Sequence, residues 1–281
     1  MSAPNPAQRA ITTTFSRKIY KPIRKAIREY ELIQPGDHIA VCISGGKDSM
    51  LLACALTMLQ KISDIPFTLT GLSMDPGYTP ESRAQIEQNI QALGLETQWY
   101  STRLFETVNQ ETDNPCFLCA RLRRGSLYEK ALELGCNKIA LGHHFDDVVE
   151  TTLLSMLYGG QVQTMLPKLH AKNYPGMQVI RPLYLVRERD ILAWRDACGL
   201  TFLACSCEFA AKARRENSPE SSKRYEVKQI IARLEQDNDQ VAKNIFNSVK
   251  NVNVDDILGW HKGTERHTFL PGGLLSYREF S

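Results

Sequence analysis

His38-Ile39-Ala40-Val41-Cys42-Ile43, then Ser44-Gly45-Gly46-Lys47-Asp48-Ser49, then Met50-Leu51-Leu52-Ala53-Cys54-Ala55-Leu56 decide the fold. The first run is short, apolar and rich in β-branched residues, as in a buried strand. The last run is rich in Leu, Ala and Met and predicts a buried helix. A strand, a Gly-Gly turn and a helix start make an anion site. Glycine lets the backbone approach a phosphate, and the helix N-terminus offers free N–H groups and the positive end of a dipole. Lys47 adds a charge, and Ser44 and Ser49 add hydroxyl donors. The spacing is not that of the Walker loop, which needs Gly, four residues, then Gly-Lys-Ser/Thr.

Outward from this loop the chain alternates strand and helix. Strands are expected at 67–73, 96–100, 138–142 and 179–182, with helices near 86–93, 127–134, 148–158 and 188–198. This order predicts an α/β fold, a parallel sheet with helices on both faces, whose ligands gather at the carboxyl ends of the strands. Residues 1–10 read as disordered. Ile11 to Leu32 reads as a basic helix, with Phe15, Ile19, Ile23 and Ile27 on one side and Pro22 kinking or splitting it. Two amphipathic helices, 227–234 and 241–249, follow a polar stretch at 208–224, and the last twenty residues carry no signal. The expected division is a basic helical segment at 1–36, a nucleotide-binding domain at 37–204 and a helical region at 205–281.

The 281 residues are 43% hydrophobic and 23% charged, ordinary for a globular protein. No apolar run has the length of a membrane helix, and Met1-Ser-Ala-Pro-Asn-Pro lacks the layout of a secretory signal, so a cytoplasmic protein is expected. A disulfide framework is not expected there. Of the eight cysteines, Cys42, Cys54, Cys136 and Cys198 read as structural.

The other four are clustered. Cys116-Phe117-Leu118-Cys119 and Cys205-Ser206-Cys207 suit three chemistries: a closed zinc site on four thiolates, an iron–sulfur cluster on three, or persulfide and disulfide exchange. Gly142-His143-His144-Phe145-Asp146-Asp147 directly follows a strand. Its paired carboxylates suit Mg²⁺ beside phosphate oxygens, and they equally suit the capping of the next helix. Basic segments recur in the N-terminal helix, at Arg121, Arg123 and Arg124, at 212–215, and at Lys223, Arg224 and Lys228. Interleaved with Tyr20, Tyr128 and Tyr225, they suit a structured RNA held through phosphate.

The loop Ser44–Ser49 matches the SGGxDS signature of the PP-loop ATP pyrophosphatases. Together with Cys116-x-x-Cys119-x-Arg121-Leu122-Arg123-Arg124-Gly125, Ile139-Ala-Leu-Gly-His-His-x-Asp-Asp147, Tyr158-Gly159-Gly160 and Ile180-Arg181-Pro182-Leu183, the chain resembles the tRNA 2-thiocytidine synthetase family from about residue 12 to about residue 210. The resemblance implies ATP-dependent adenylation of C2 of the anticodon-loop cytidine 32 and replacement of its oxygen by sulfur. It implies ATP at Ser44, Gly45, Gly46, Lys47 and Ser49, with the base near Ser73 and Met74 and further contacts from Gly142, His143 and Asp147. It gives Lys47, Asp48 and Asp146 catalytic roles, with Mg²⁺ as a cofactor. It implies a [4Fe-4S] cluster on Cys116, Cys119 and Cys207, with Cys205 the alternative third ligand, and tRNA contacts from Arg121, Arg123 and Arg124. The implied partners are tRNA and a sulfur donor such as a cysteine desulfurase, with a homodimer allowed and no membrane. The competing readings are a PP-loop thiolase or ligase acting on another tRNA base, and a zinc- and nucleotide-dependent RNA-binding module.

Overall fold

The structure, a computed structural model, describes residues 5–102, 115–202 and 223–270, and residues 115–120 by their backbone alone. Six strands form one sheet in the order β3-β2-β1-β4-β6-β5, where β1 is His38–Cys42, β2 Thr68–Asp75, β3 Thr97–Ser101, β4 Lys138–Ala140, β5 Lys168–His170 and β6 Gln178–Ile180. Only β5, at the edge, runs antiparallel. Strand order reverses between β1 and β4, which pair with Val41 opposite Ala140. The crevice beyond their carboxyl ends is therefore the topological switch point where α/β sheets bind ligands.

Residues of β1 alternate between two cores. Ile39 and Val41 join one hydrophobic cluster, and Ala40 and Cys42 join another on the opposite face. Such two-sided burial is what a parallel sheet covered by helices requires. The larger core holds α3 (Lys47–Ile62), α4 (Pro80–Ala92), α6 (Phe145–Gly159) and α7 (Glu188–Ala197). The smaller core is closed by α5 (Pro115–Glu133). Helices α8 (Lys223–Asp237) and α9 (Val241–Ser248) pack on α6.

Several elements differ from the sequence expectation. Residues 1–10 are not all irregular: α1 spans Pro6–Thr12, with Asn5 accepting the Ala7 N–H as its cap and proline at the first turn, where no N–H is needed. The helix expected from Ile11 to Leu32 is split. A π-helical turn at Ser16–Tyr20 precedes α2 (Lys21–Glu29). Pro22 has no N–H and its ring crowds the carbonyl four residues back, so the turn before it widens; the Lys21 N–H bonds Ser16 O. Of the expected stripe, Phe15, Ile19 and Ile23 are buried in the larger core and Ile27 is half-buried against it. Helix α5 starts at Pro115, well before the expected Leu127, because Leu118 to Arg124 are strong helix formers. The hairpin of β7 (Gly259–Lys262) and β8 (Glu265–Thr268) turns through Gly263 at φ 63°, in a region without hydrophobic alternation.

Candidate active site

The Ser44–Ser49 loop leaves β1 and enters α3 with no side chain capping the helix, so its first N–H groups face outward for an anion. Gly45 sits at φ 83°, a conformation that favours glycine. The serine hydroxyls brace the loop. Ser49 Oγ donates to Gly46 O at 2.9 Å and accepts from the Ser44 N–H and the Ser44 hydroxyl, both at 3.1 Å. Lys47 Nζ lies 3.0 Å from Asp48 Oδ2 and 3.1 Å from Glu188 Oε1. Burial pulls the Lys47 ammonium pKa down, and the two carboxylates outweigh it and raise it. Asp48 Oδ1 is buried without a hydrogen-bond partner. His144 Nε2 lies 3.8 Å away.

At the end of β2, Ser73 is buried and its hydroxyl donates to Ile43 O at 2.9 Å, tying the second strand to the start of the phosphate loop. Met74 is buried beside it. The second strand end at the crevice is that of β4. Gly142 packs against the first turn of α3 so closely that a Cβ there would meet the Asp48 carbonyl carbon and the Ser49 nitrogen at 3.0 Å. Glycine is thus required where the two strand ends converge.

His143 and His144 take different roles. His144 is the N-cap of α6: its Nδ1 accepts the Asp147 N–H at 3.4 Å, while Asp147 accepts the His144 N–H at 2.9 Å. With Nδ1 an acceptor, a neutral His144 carries its proton on Nε2, facing Asp48. His143 accepts from Arg181 Nε at 3.4 Å. Burial, then the adjacent Arg181 cation, lower the His143 pKa to about 4, so it is neutral near pH 7. Asp146, expected to support Mg²⁺, has both oxygens engaged. Oδ1 accepts from Arg187 at 2.9 Å and Oδ2 from the Glu188 N–H at 2.6 Å. Among the described residues no three His, Cys, Asp or Glu side chains converge as a metal set. The free Asp48 oxygen fits one hard-cation contact, since Mg²⁺ takes one or two carboxylates and leaves the rest to phosphates and water.

Helix α8 ties these groups together through charges absent from the sequence-based site. Lys228 pairs with Glu188 and so with Lys47; Glu235 pairs with Arg187 at 2.9 Å and so with Asp146; Arg224 reaches Asp147 at 3.3 Å and Glu150 at 2.9 Å. Arg224 and Lys228, read from the sequence as RNA contacts, thus bind carboxylates of the site. Their basic residue type gave no sign of which acid they face. Arg181 lies in a motif quoted above. Glu188 had no signal, because an acid in a first helical turn is ordinary.

Burial raises the Glu188 pKa, but Lys228 and Lys47 outweigh it and hold the carboxyl at about 2 against an ordinary 4.5. Its stabilisation is therefore complete above about pH 4.5 and is lost as pH falls toward 2. Glu188→Gln is expected to cost about 2 kcal/mol at pH 7, less than a fully buried pair because the side chain keeps some solvent. That gap should shrink on acidification below pH 4.5. Denaturant unfolding of both proteins across this range checks it; a gap that stays constant would mean that the triad is not an ion pair.

Cys42, Cys54 and Cys136 are buried free thiols and Cys198 is half-buried, as expected of structural cysteines. Burial pushes Cys42 and Cys54 up to about 12, which keeps them unreactive. Cys116 and Cys119 lie three residues apart near the start of α5, a spacing that places them on one face of it. Cys205, Cys207 and the basic stretch at 212–215 lie outside the described residues. Arg121 and Arg124 are exposed on α5, while Arg123 is half-buried and donates to the Tyr78 hydroxyl at 3.3 Å.

Residues 11–216 match the PP-loop domain. The tRNA-cytidine(32) 2-sulfurtransferase of Syntrophotalea carbinolica is 38% identical over 240 residues, covering 84% of this chain and 89% of that protein. The protein of the same name from Citrifermentans bemidjiense is 33% identical over 245 residues, covering 86% and 92%. Among solved structures, the U34-tRNA thiolase NcsA from Methanococcus maripaludis, with its [4Fe-4S] cluster, superposes with a TM-score of 0.61 at 21% identity over 83% of this chain and 79% of that one. This likeness is one of fold. No helix among the described residues is long and apolar enough to cross a membrane. The domain match over most of the chain and these relatives together show that the chain belongs to the PP-loop tRNA-cytidine(32) 2-sulfurtransferase family.

Proposed function

We propose that this protein is an ATP-dependent tRNA sulfurtransferase that converts cytidine 32 of the anticodon loop to 2-thiocytidine in the cytoplasm. The observation that carries the reading is the uncapped start of α3 with Lys47 and the orphaned Asp48 oxygen at its mouth. Backbone N–H groups of the loop and Lys47 receive the phosphates of ATP. Lys47 leaves Glu188 for them, since both compete for one ammonium. Asp48 contributes an oxygen to Mg²⁺, and His144 holds its Nε2 proton toward that carboxylate. Ser73 and Met74 line the base side.

The cytidine O2 attacks the α-phosphorus; the new P–O bond forms as the bond to pyrophosphate breaks. Sulfide then adds at C2, and the C2–O bond breaks with AMP as leaving group. Cys116, Cys119 and Cys207 would hold a [4Fe-4S] cluster, which would supply a place for sulfide. The donor set suits it: Cys116 and Cys119 share a helix face as soft ligands, and Cys207 is the third in this reading. A cysteine desulfurase is the class of sulfur donor, and a homodimer is compatible with the reading.

The test is mass spectrometry of tRNA nucleosides from a strain lacking the protein. Selective loss of 2-thiocytidine is expected. Unchanged 2-thiocytidine, with another thiolated base lost instead, would move the reading to that base.

A further inference from the structure

Helix α2 and the π-helical turn before it expose Arg17, Lys21, Lys25 and Arg28. Across a groove of about 560 Å³, Lys243 and Lys250 of α9 and its end face them. The groove is lined by these six cations and one carboxylate, Glu29, in a chain whose 34 basic and 31 acidic residues nearly balance. Glu29 is taken by Lys250 at 2.6 Å and Lys25 at 3.9 Å. Among the described residues Arg17, Lys21, Arg28 and Lys243 pair with no carboxylate.

Lys21, Lys25 and Arg28 recur at four and three residues, so they form one stripe with a spacing of about 5 Å along the helix. The same three residues border a second groove of about 700 Å³ on the other side of α2. The helix is therefore a cationic ridge between two open grooves. A ridge of this kind fits a polyanion that wraps it, not a flat apolar partner.

The first groove is lined in part by residues next in the chain to those of the active site. Its floor includes Phe145 and Leu185. Phe145 is the residue before Asp146, and its ring lies beneath the Arg187 guanidinium at 5.2 Å. Leu185 is two residues before Arg187. Phe145 is buried and stacked on Phe246, so the floor offers no free ring for a base. The groove can grip phosphates but has no means to read bases, which suits the arm beside a reacting nucleotide.

We infer that the α2 ridge, with Lys243 opposite, holds the phosphate backbone of the RNA arm that carries the target cytidine. The inference rests on the tRNA reading above and places the RNA on a surface outside the ATP crevice.

The experiment is equilibrium binding of an unmodified tRNA transcript to the full chain across a range of salt. It compares the wild-type protein, the triple variant Lys21→Ala/Arg28→Ala/Lys243→Ala, and Arg121→Ala/Arg124→Ala. All five substituted side chains are exposed, and thermal unfolding checks that the fold persists. The ridge variant is expected to bind about 30-fold more weakly near physiological salt, half a decade per phosphate contact, with a salt slope smaller by about 2. Unchanged affinity and slope would overturn the inference and leave the ridge to an acidic protein surface, such as that of the sulfur donor. A loss confined to the α5 variant would overturn it too, and place the RNA there. A wild-type protein that binds no tRNA would instead sink the tRNA reading itself.

Discussion

Asp48→Ala is expected to lower pyrophosphate release and 2-thiocytidine formation by about a thousandfold, the scale of removing a preorganised electrostatic group from a reaction centre. The same change should leave stability at or slightly above that of the wild-type protein. Asp48 Oδ1 is buried with no hydrogen-bond partner, and His144 Nε2, 3.8 Å away, is too far for one. A buried oxygen left unsatisfied costs free energy in the resting protein. Such groups persist where a ligand completes them, a common trade of stability for activity. Alanine removes that cost together with the function. The loss of the Asp48–Lys47 contact offsets part of the gain, though Lys47 keeps Glu188 as a partner. A residue that served only the fold would lose stability and activity together. The checks are a pyrophosphate assay, nucleoside mass spectrometry and thermal unfolding of one preparation. The cluster absorbance should be unchanged, since Cys116 and Cys119 belong to another helix. Full activity in the variant would end the adenylation mechanism.

Gly71→Ala is expected to be the most damaging single methyl in the sheet. Gly71 lies in β2 opposite Thr97 of β3. A Cβ there would sit 2.1 Å from the Glu96 carbonyl oxygen and 3.2 Å from Thr97 Oγ1. The oxygen belongs to backbone, so it cannot swing aside as a long side chain would. Relief requires β3 to move away from β2. Overpacking of this kind costs about 3 kcal/mol, at the upper end of small-to-large changes. Ser73 and Met74 lie just downstream on β2, so weaker ATP binding should accompany the loss. Urea unfolding followed by circular dichroism checks it. A midpoint equivalent to less than about 1 kcal/mol of destabilisation would contradict the close approach of these two strands.

The sheet, the phosphate loop and its helix were legible because each is encoded locally. His38–Cys42 is apolar at successive positions, Gly45 and Gly46 permit the turn, and Lys47–Ile62 has the composition of a buried helix. The periodicity of Phe15, Ile19, Ile23 and Ile27 placed the N-terminal segment against the core, while its start at Pro6 and the π-helical turn before Pro22 were not foreseen. The edge strand Lys168–His170 was not legible, because its one apolar residue, Leu169, makes no run of the kind that marked Ile139-Ala140 and Val179-Ile180.

Ion pairing was the other hidden layer. Glu188, Arg187, Lys228 and Glu235 are ordinary surface residue types, and charge attracts at a distance in space, not at a spacing in sequence. By itself, then, the sequence determined the α/β order and the glycine-rich turn between β1 and α3, since these follow from backbone conformation and short-range periodicity. Only the tertiary structure decided that Ser44 and Ser49 brace each other, that Asp146 is held by Arg187 while Asp48 keeps a bare oxygen, and that α8 anchors three of the site's charged groups. Each of these depends on which distant segments meet when the two cores close.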